Sequence, residues 1–335
     1  MAYNQNSWAG QAILANLYSQ IWVFGNVHVV MNSANTDEAN YQAMQDLFPV
    51  TDGWVRFFTS LESAYAAVES NNNDIILLDA NSTHEIALGL AVTKSRVHFI
   101  GMDWGDRLLQ QGAKVQLATA SASAYVLKNT GTRNSFKNIK FIQAATAATG
   151  LHVLEEGGEG TLVKNCSFTF GVADNLDLTT ATEALFGGDS CTYINTTFGQ
   201  DTLLSSATTR SIMTIDQVNG FAAKSNVFVD CTWIGASSDA DLQCISMAAA
   251  GDVLFTNHFI RPSLIASISA GQGAIQCTKA VSTANGLVNG TVLISYPMCH
   301  WFADLGINGT NNDQLLVASP LMVTTDLVGI APTAT

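Results

Sequence analysis

The sequence predicts an all-β chain wound as a parallel β-helix, or solenoid, with a capping helix in front of the coils and a small cap at each end. Three observations carry that expectation. A short pattern (Asn or Asp, two residues, then an aromatic) recurs along the middle of the chain at near-regular spacing. An amphipathic helix followed by short apolar strands stands just before the repeats. The composition suits a surface of short strands and turns: 12% of the 335 residues are charged, against about a quarter in a typical soluble domain, while 47% are hydrophobic. Asn, Thr, Ser and Gly have taken the place of the missing charge.

The same arithmetic removes several function classes. Disordered chains pair low hydrophobicity with high charge, the opposite of this composition. Against 27 Asp and Glu stand 14 Lys and Arg, a net charge of −13, so no nucleic-acid partner is expected, because neutralising phosphates needs a basic footprint. No run approaches the roughly 18 apolar residues of a bilayer span, so no membrane partner is expected either. The opening residues Met1 to Asn6 carry neither a basic n-region nor an apolar h-region, so no secretory signal is read there. Cys166, Cys191, Cys231, Cys244, Cys277 and Cys299 are widely spaced and read as reduced, half-buried thiols made in a cytoplasm. The several Asn-x-Ser/Thr sequons of this Asn- and Thr-rich chain read as chance.

Residues 1–53 form an N-terminal arm or cap. Trp8 to Tyr18 reads as a short helix with an apolar stripe. Ile21–Phe24 and Val27–Val30 read as strands around a Gly25-Asn26 hairpin turn, and Ala39 to Leu47 as another helix closed by Pro49. Two readings stand for this segment: a folded cap, or an attachment arm that docks through Trp8, Leu14, Tyr18, Trp22 and Phe24. Residues 54–300 form the β-helix. Thr59-Ser-Leu-Glu62 is a capping-box pattern opening a helix over about Leu61 to Ser70, with Leu61, Ala64, Tyr65 and Val68 on one face. Ile75–Leu78, Ala87–Leu90 and Val97–Gly101 read as strands, and the helix covers the open edge of the first rung.

The repeats then follow as Asn138-x-x-Phe141, Asn165-x-x-Phe168, Asn195-x-x-Phe198 and Asp230-x-x-Trp233, with a weaker copy at Asn257. Their Asn/Asp positions are separated by 27, 30, 35 and 27 residues. Asn and Asp tolerate the left-handed region, so each is expected at a corner between two strands, with the aromatic pointing inward. Stacking the coils makes an Asn ladder and an internal aromatic column. A β-sandwich with Asn-rich turns is the competing fold, but its turns come about every 8–12 residues. Residues 301–335 form a C-terminal cap, where Pro320 interrupts an apolar strand beside a short polar tail.

From Thr59 to Gly101 the order of capping helix, Asn73-Asp-Ile-Ile-Leu-Leu78 and Val97-His-Phe-Ile-Gly101 resembles the opening of right-handed parallel β-helix proteins of the pectate-lyase-like superfamily. The Asn-x-x-aromatic rungs resemble the same superfamily's coils, and the likeness runs from about Trp54 to Ile294. It implies the fold, and bears little on function, since one fold hosts many activities.

Polysaccharide-cleaving members use clustered carboxylates, so the candidate catalytic residues are Asp174, Asp177, Asp189, Asp239 and Asp241. Asp239 and Asp241 would share a side on extended backbone, although Asp-x-Asp in a Ser/Ala-rich loop is more often a solvated turn. The hydrolase signatures are missing from the coils: Asn35-Thr-Asp37 precedes them, and there is no Asp-Asp pair, no Gly-His-Gly and no Arg-Ile-Lys. Arg210 and Arg261 do not suggest a lyase base. Glu155-Glu-Gly-Gly-Glu159 reads as an acidic solvated turn, with calcium coordination the sharper alternative. The six histidines never stand in metal-ligand spacing, so no cofactor and no metal are expected.

Together these features lead to a non-enzymatic structural protein of a bacteriophage particle. It would be a capsid decoration, cement or head-spike subunit on the virion exterior, made in the host cytoplasm. A homotrimer in contact with the major capsid protein is expected, because the phage β-helices this chain resembles stand in threes. The acid surplus suits an outward-facing position, since packaged DNA would repel a lumenal one. The alternatives are a tailspike depolymerase acting on host surface polysaccharide and, third, a cellular polysaccharide lyase or hydrolase.

Overall fold

The computed structural model describes residues 25–32, 42, 45–46, 55–80, 82–103, 112–206, 210–218, 223–237, 242–247, 257–267, 275–277, 292–295, 298–300 and 315–318. The arm residues Trp8, Leu14, Tyr18, Trp22 and Phe24, the loop carboxylates Asp239 and Asp241, and Pro320 lie outside them.

Short β-branched and aromatic runs alternate with turn formers, and the chain winds them into three sheets whose strand pairs are parallel. Among the described residues the sheets hold eleven, eight and seven strands. One coil runs from the first sheet (Ser135–Lys137) through a sharp corner into the second (Ile139–Gln143), then by a loop into the third (His152–Glu156). The next coil repeats that path as Leu162–Lys164, Ser167–Phe170 and Thr182–Phe186. Each strand therefore pairs with the equivalent strand one coil on, Phe136 opposite Val163 and Phe141 opposite Phe168. This is the expected parallel β-helix.

The Asn corner is where the sequence placed it. Asn138, Asn165, Asn195 and Asp230 have φ of 58°, 53°, 47° and 53°, the left-handed conformation that Asn and Asp adopt most readily. Asn165 donates to the side chain of Asn138 at 3.3 Å, and Asn195 to that of Asn165 at 3.0 Å. The fifth corner, however, is Arg261 (φ 50°), and its guanidinium forks onto Asp230 at 2.6 and 2.7 Å. Asn257 is instead a buried interior residue whose carbonyl accepts from Asn226 at 2.7 Å. The weak fifth copy was thus read four residues out of phase.

Inside the coil the aromatics stack. Phe141, Phe168, Phe198 and Trp233 form one column with ring centroids 5.1, 5.5 and 5.4 Å apart. A second column on the first sheet includes Tyr193, Phe228 and Phe259, at 5.1 and 4.6 Å. Each such pair adds about 0.5–1.5 kcal/mol beyond the area it buries. Cys166, Cys191, Cys231 and Cys244 are free thiols, fully rather than half buried. Burial pushes Cys166 and Cys231 up to about 12, so these thiols stay protonated and packed.

At the N-terminal end the capping helix α1 spans Leu61–Ala67 and buries Leu61 and Ala64. Its cap is Ser60, whose hydroxyl accepts from the Ser63 amide at 3.3 Å. Glu62 does not fold back as a capping box would require; it accepts from the amide of Ala87 at 3.2 Å. The helix ends before Ser70 because Val68 is extended and Lys94, from the following coil, donates to the carbonyls of Tyr65, Ala66 and Val68 at 2.9, 3.0 and 2.6 Å. A cation on the last carbonyls both satisfies them and complements the helix dipole.

Two strand expectations shift. Ala87 and Leu88 form a bend, and strands occupy Thr83–Ile86 and Leu90–Val92 instead, because Gly89 passes too close to the Tyr125 carbonyl for any side chain. Val27–Val30 pairs in parallel with Asp74–Leu78 and with Phe57–Phe58, so the first sheet extends back to it.

Candidate functional site

The third sheet carries the cleft that stands out among the described residues. Its strands His152–Glu156, Thr182–Phe186, Arg210–Ile215 and Leu242–Met247 stack in register, so His152 pairs with Thr182 and Ser211 with Gln243. These residues, with Thr214 and Ser246, line a cleft of about 440 Å³ edged by Thr179 and Thr180 of the loop from the second sheet. Hydroxyls and an amide make the uncharged polar part of the walls, beside Leu151, Ala181 and Leu185. Burial lowers the His152 pKa against the pull of Glu155, so the ring is neutral near pH 7. Of the two charged residues that line the cleft, Asp216 is part-exposed and Arg210 is already paired.

Arg210 pairs with Glu183, both about 2% exposed, and its guanidinium lies 5.8 Å from the Phe170 ring. Burial raises the Glu183 carboxyl while Arg210 pulls it back. Such a pair ties two neighbouring coils within the third sheet; removing either member would strand a buried charge. Arg210 is therefore committed to the fold, and so is Arg261 on Asp230.

Behind the corner between the third and first sheets runs an interior polar column. Glu156 is fully buried and accepts from Asn129, the Gly158 amide and the Tyr193 hydroxyl at 2.8, 2.8 and 3.0 Å. Asn134 donates to Asn129 at 2.8 Å and receives the Val97 amide at 2.9 Å. Burial raises the Glu156 carboxyl to about 7 despite these donors. The acidic turn read over Glu155 to Glu159 is thus corrected: Glu156 points into the coil, and Glu155 pairs with Lys128 at 2.8 Å. Alternation on a strand turns one member of an adjacent pair inward, and the third sheet takes Glu156.

The predicted carboxylates are not brought together. Asp174 lies in the one-turn helix α2 (Ala173–Leu176), exposed, in the loop between the second and third sheets. Asp177 ends that helix and accepts the Ser206 amide at 2.6 Å, tying one coil's loop to the next. Asp189 lies across the third sheet from them, at the corner into the first. It bridges Glu159 and Lys224 through its backbone, and its carboxylate receives Lys224 and Ser190 at 2.8 Å each. Among the described residues no three His, Cys, Asp or Glu side chains gather as a metal site would need.

The cleft residues Thr182, Ser211, Thr214 and Gln243 carried no signal in the sequence. Loops of different length join the second sheet to the third, so their phase relative to the Asn repeat drifts from coil to coil.

No protein-family model matches the chain, and no curated protein does. Solved structures do. A pectin methylesterase from Aspergillus niger is similar at a TM-score of 0.54 and 11% identity, over 92% of this chain and 91% of that one. A pectin methylesterase from Yersinia enterocolitica is similar at 0.50 and 11%, over 80% and 92%. ORF18 of Geobacillus virus E2 is a looser likeness, at 0.40 and 10%, over 86% of this chain and 64% of that one. At such identities the likeness is one of fold, the right-handed parallel β-helix.

Proposed function

We propose that the chain is a non-enzymatic structural subunit of a bacteriophage particle. It stands on the capsid exterior as a decoration, cement or head-spike protein, is homotrimeric and contacts the major capsid protein. The observation that carries this reading is the use the coil makes of its polar groups. Asp177 ties adjacent coils, Asp189 holds a corner with Lys224, and Arg210, Glu183, Asp230 and Arg261 are spent on one another. These groups build the rod, and a rod with few charges, 12% of its residues, suits dense packing on a shell.

Mass spectrometry of purified particles, with stoichiometric binding of the purified chain to emptied capsids, tests the reading. Absence from particles overturns it. So does reducing-sugar release from host envelope polysaccharide that Asp189→Ala or Asp239→Ala abolishes.

The third-sheet cleft favours one second reading, a tailspike-type subunit engaging host surface polysaccharide. Hydroxyls, an amide and a neutral imidazole suit an uncharged sugar better than a uronate. Binding of neutral glycans that Gln243→Ala weakens supports it; a blank glycan array removes it.

A further inference from the structure

The first sheet carries apolar side chains on its outward face at both its early and its later strands, and only the early ones are buried. Ile76 and Leu78 face the core, so Ile75 and Leu77, which alternate with them, point outward. One outward column runs from Val29 through Leu77 and Ile100 up to Ile194, Val229 and Ile260. A second runs from Val27 through Ile75 up to Leu162 and Val227. At the early end Val29, Met31, Ile75, Leu77 and Ile100 are at most 8% exposed and form a cluster of their own. Higher in the same columns, Leu162, Ile194, Val227, Val229 and Ile260 are part-exposed, as a sheet face that meets solvent is.

A single layer of strands cannot bury its own outward face; that takes a second layer. The hydrophobic residues packed against the early cluster are Val27, Phe57 and Met102, which belong to the sheet or directly follow one of its strands. They are part of the layer beneath, not of a cover. Three stretches adjoin these strands outside the described residues. Residues 1–24 lead into Val27–Val30, the link after Asn32 leads to Phe57–Phe58, and residues 104–111 follow Val97–Gly101. Charge separates the three, because a charge laid on apolar surface loses its hydration. The link holds Asp37, Glu38, Asp46 and Asp52, and the described part of it, residues 42, 45 and 46, is exposed. Residues 104–111 hold Asp106 and Arg107. Residues 1–24 hold no Asp, Glu, Lys or Arg, and they end three residues before Val27, which stands in an outward column itself.

We infer that residues 1–24 are the occupant of this face, laid across the outward side of Val27–Val30 and Asp74–Leu78 as an intramolecular cover. The inference goes beyond the virion reading and does not depend on it. It decides between the two readings of the N-terminal segment in favour of a folded cap. Trp8, Leu14, Tyr18, Trp22 and Phe24 are then spent on Val29, Met31, Ile75 and Leu77, and contact with other proteins falls to the coil rather than to an arm.

The test follows the oxidation of two methionines by dilute peroxide, read by peptide mass spectrometry on the full chain. Met31 lies in the covered cluster, and Met213, inside the coil, reports on the fold. Both are expected to resist oxidation in the wild type. Trp22→Ser with Phe24→Ser is expected to speed the oxidation of Met31 at least about tenfold while Met213 stays protected. Leu108→Ser with Leu109→Ser leaves Met31 protected. A wild-type chain made with photo-reactive methionine needs no substitution, and it is expected to crosslink Met31 or Met102 to residues 8–18 of the same molecule. Met31 oxidation unmoved by the first pair of substitutions, or released by the second, overturns the cover. Should the first pair expose Met213 as well, the crosslink decides: links that all miss residues 8–18, or that reach only those of another copy, overturn it.

Discussion

Each coil turns twice through the left-handed region, and the two turns are held in different ways. At the corner between the first and second sheets stand Asn138, Asn165, Asn195, Asp230 and Arg261. At the corner between the third and first sheets stand Arg96, Arg133, Gly160, Ser190 and Ser225. The backbone does the same at both: the corner amide donates to a carbonyl of the next coil, at 3.1 Å from Asn138 to Lys164 and 2.7 Å from Arg133 to Glu159. The support differs. The first corner is held by its own side chains in a ladder on the outside. The second is held from within, by Glu156, Asn129, Asn134 and Thr161, so the corner residue itself is free to vary. One backbone conformation can thus be specified by the residue that adopts it or by residues buried behind it.

The contrast is broken most forcefully at Glu156. Glu156→Ala leaves Asn129, Tyr193 and the Gly158 amide with unmet hydrogen bonds in the interior, and about 4 kcal/mol of stability is expected to go, read from the denaturant midpoint.

Glu156→Gln keeps most of the shape and isolates the charge. The carboxyl titrates near 7 in the folded coil and near 4.5 in the unfolded chain. Between those values the folded state holds a proton that the unfolded state has released, so stability falls as pH rises through that window. The loss from this group is about 3 kcal/mol once above it. The buried His28, His84 and His152 act oppositely, being lowered by burial, so their stabilisation is lost as pH falls below 6.5. The informative quantity is therefore the difference between wild type and Glu156→Gln in unfolding free energy. It is expected to favour the variant progressively from pH 4.5 to 7 and to be flat above; a difference flat throughout means Glu156 ionises freely.

At the outer corner, Asn165→Ala removes a ladder residue and puts alanine at φ 53°, for about 2 kcal/mol lost by thermal or chemical melting. The inner-held corner should respond with the opposite sign. Ser190→Gly relieves a left-handed serine whose hydroxyl reaches only the neighbouring Asp189, and a gain of up to about 1 kcal/mol is expected. If Ser190→Gly and Asn165→Ala destabilise alike, the two corners are not held differently.

The same division decides what could be read in advance. Asn138, Asn165, Asn195 and Asp230 announced the coils because a left-handed turn supported by its own side chain needs Asn or Asp, and the next inward position takes an aromatic. Arg96, Arg133, Ser190 and Ser225 announced nothing, since support from within places no demand on the residue at the turn. Arg261 kept the geometry with a residue that does not signal a corner, which shifted the fifth copy onto the nearby Asn257. The helix was legible from its apolar face, but its end was set by Lys94, 26 residues beyond Val68. The cleft was illegible for a related reason: it is assembled from single residues of several coils, each reached through a loop of its own length. Asp174, Asp177 and Asp189 were chosen by residue type alone, and the third sheet separates the first two from the last.

Successive corners are 27, 30, 35 and 31 residues apart, yet every coil climbs by one interstrand hydrogen-bond step. Height is therefore counted in coils and girth in residues. A segment inserted between the second and third sheets would widen the rod locally without lengthening it, so new surface can be added at one level while the ends keep their separation. A protein built this way works as a ruler, with its reach fixed by the number of rungs and its outline left open to change.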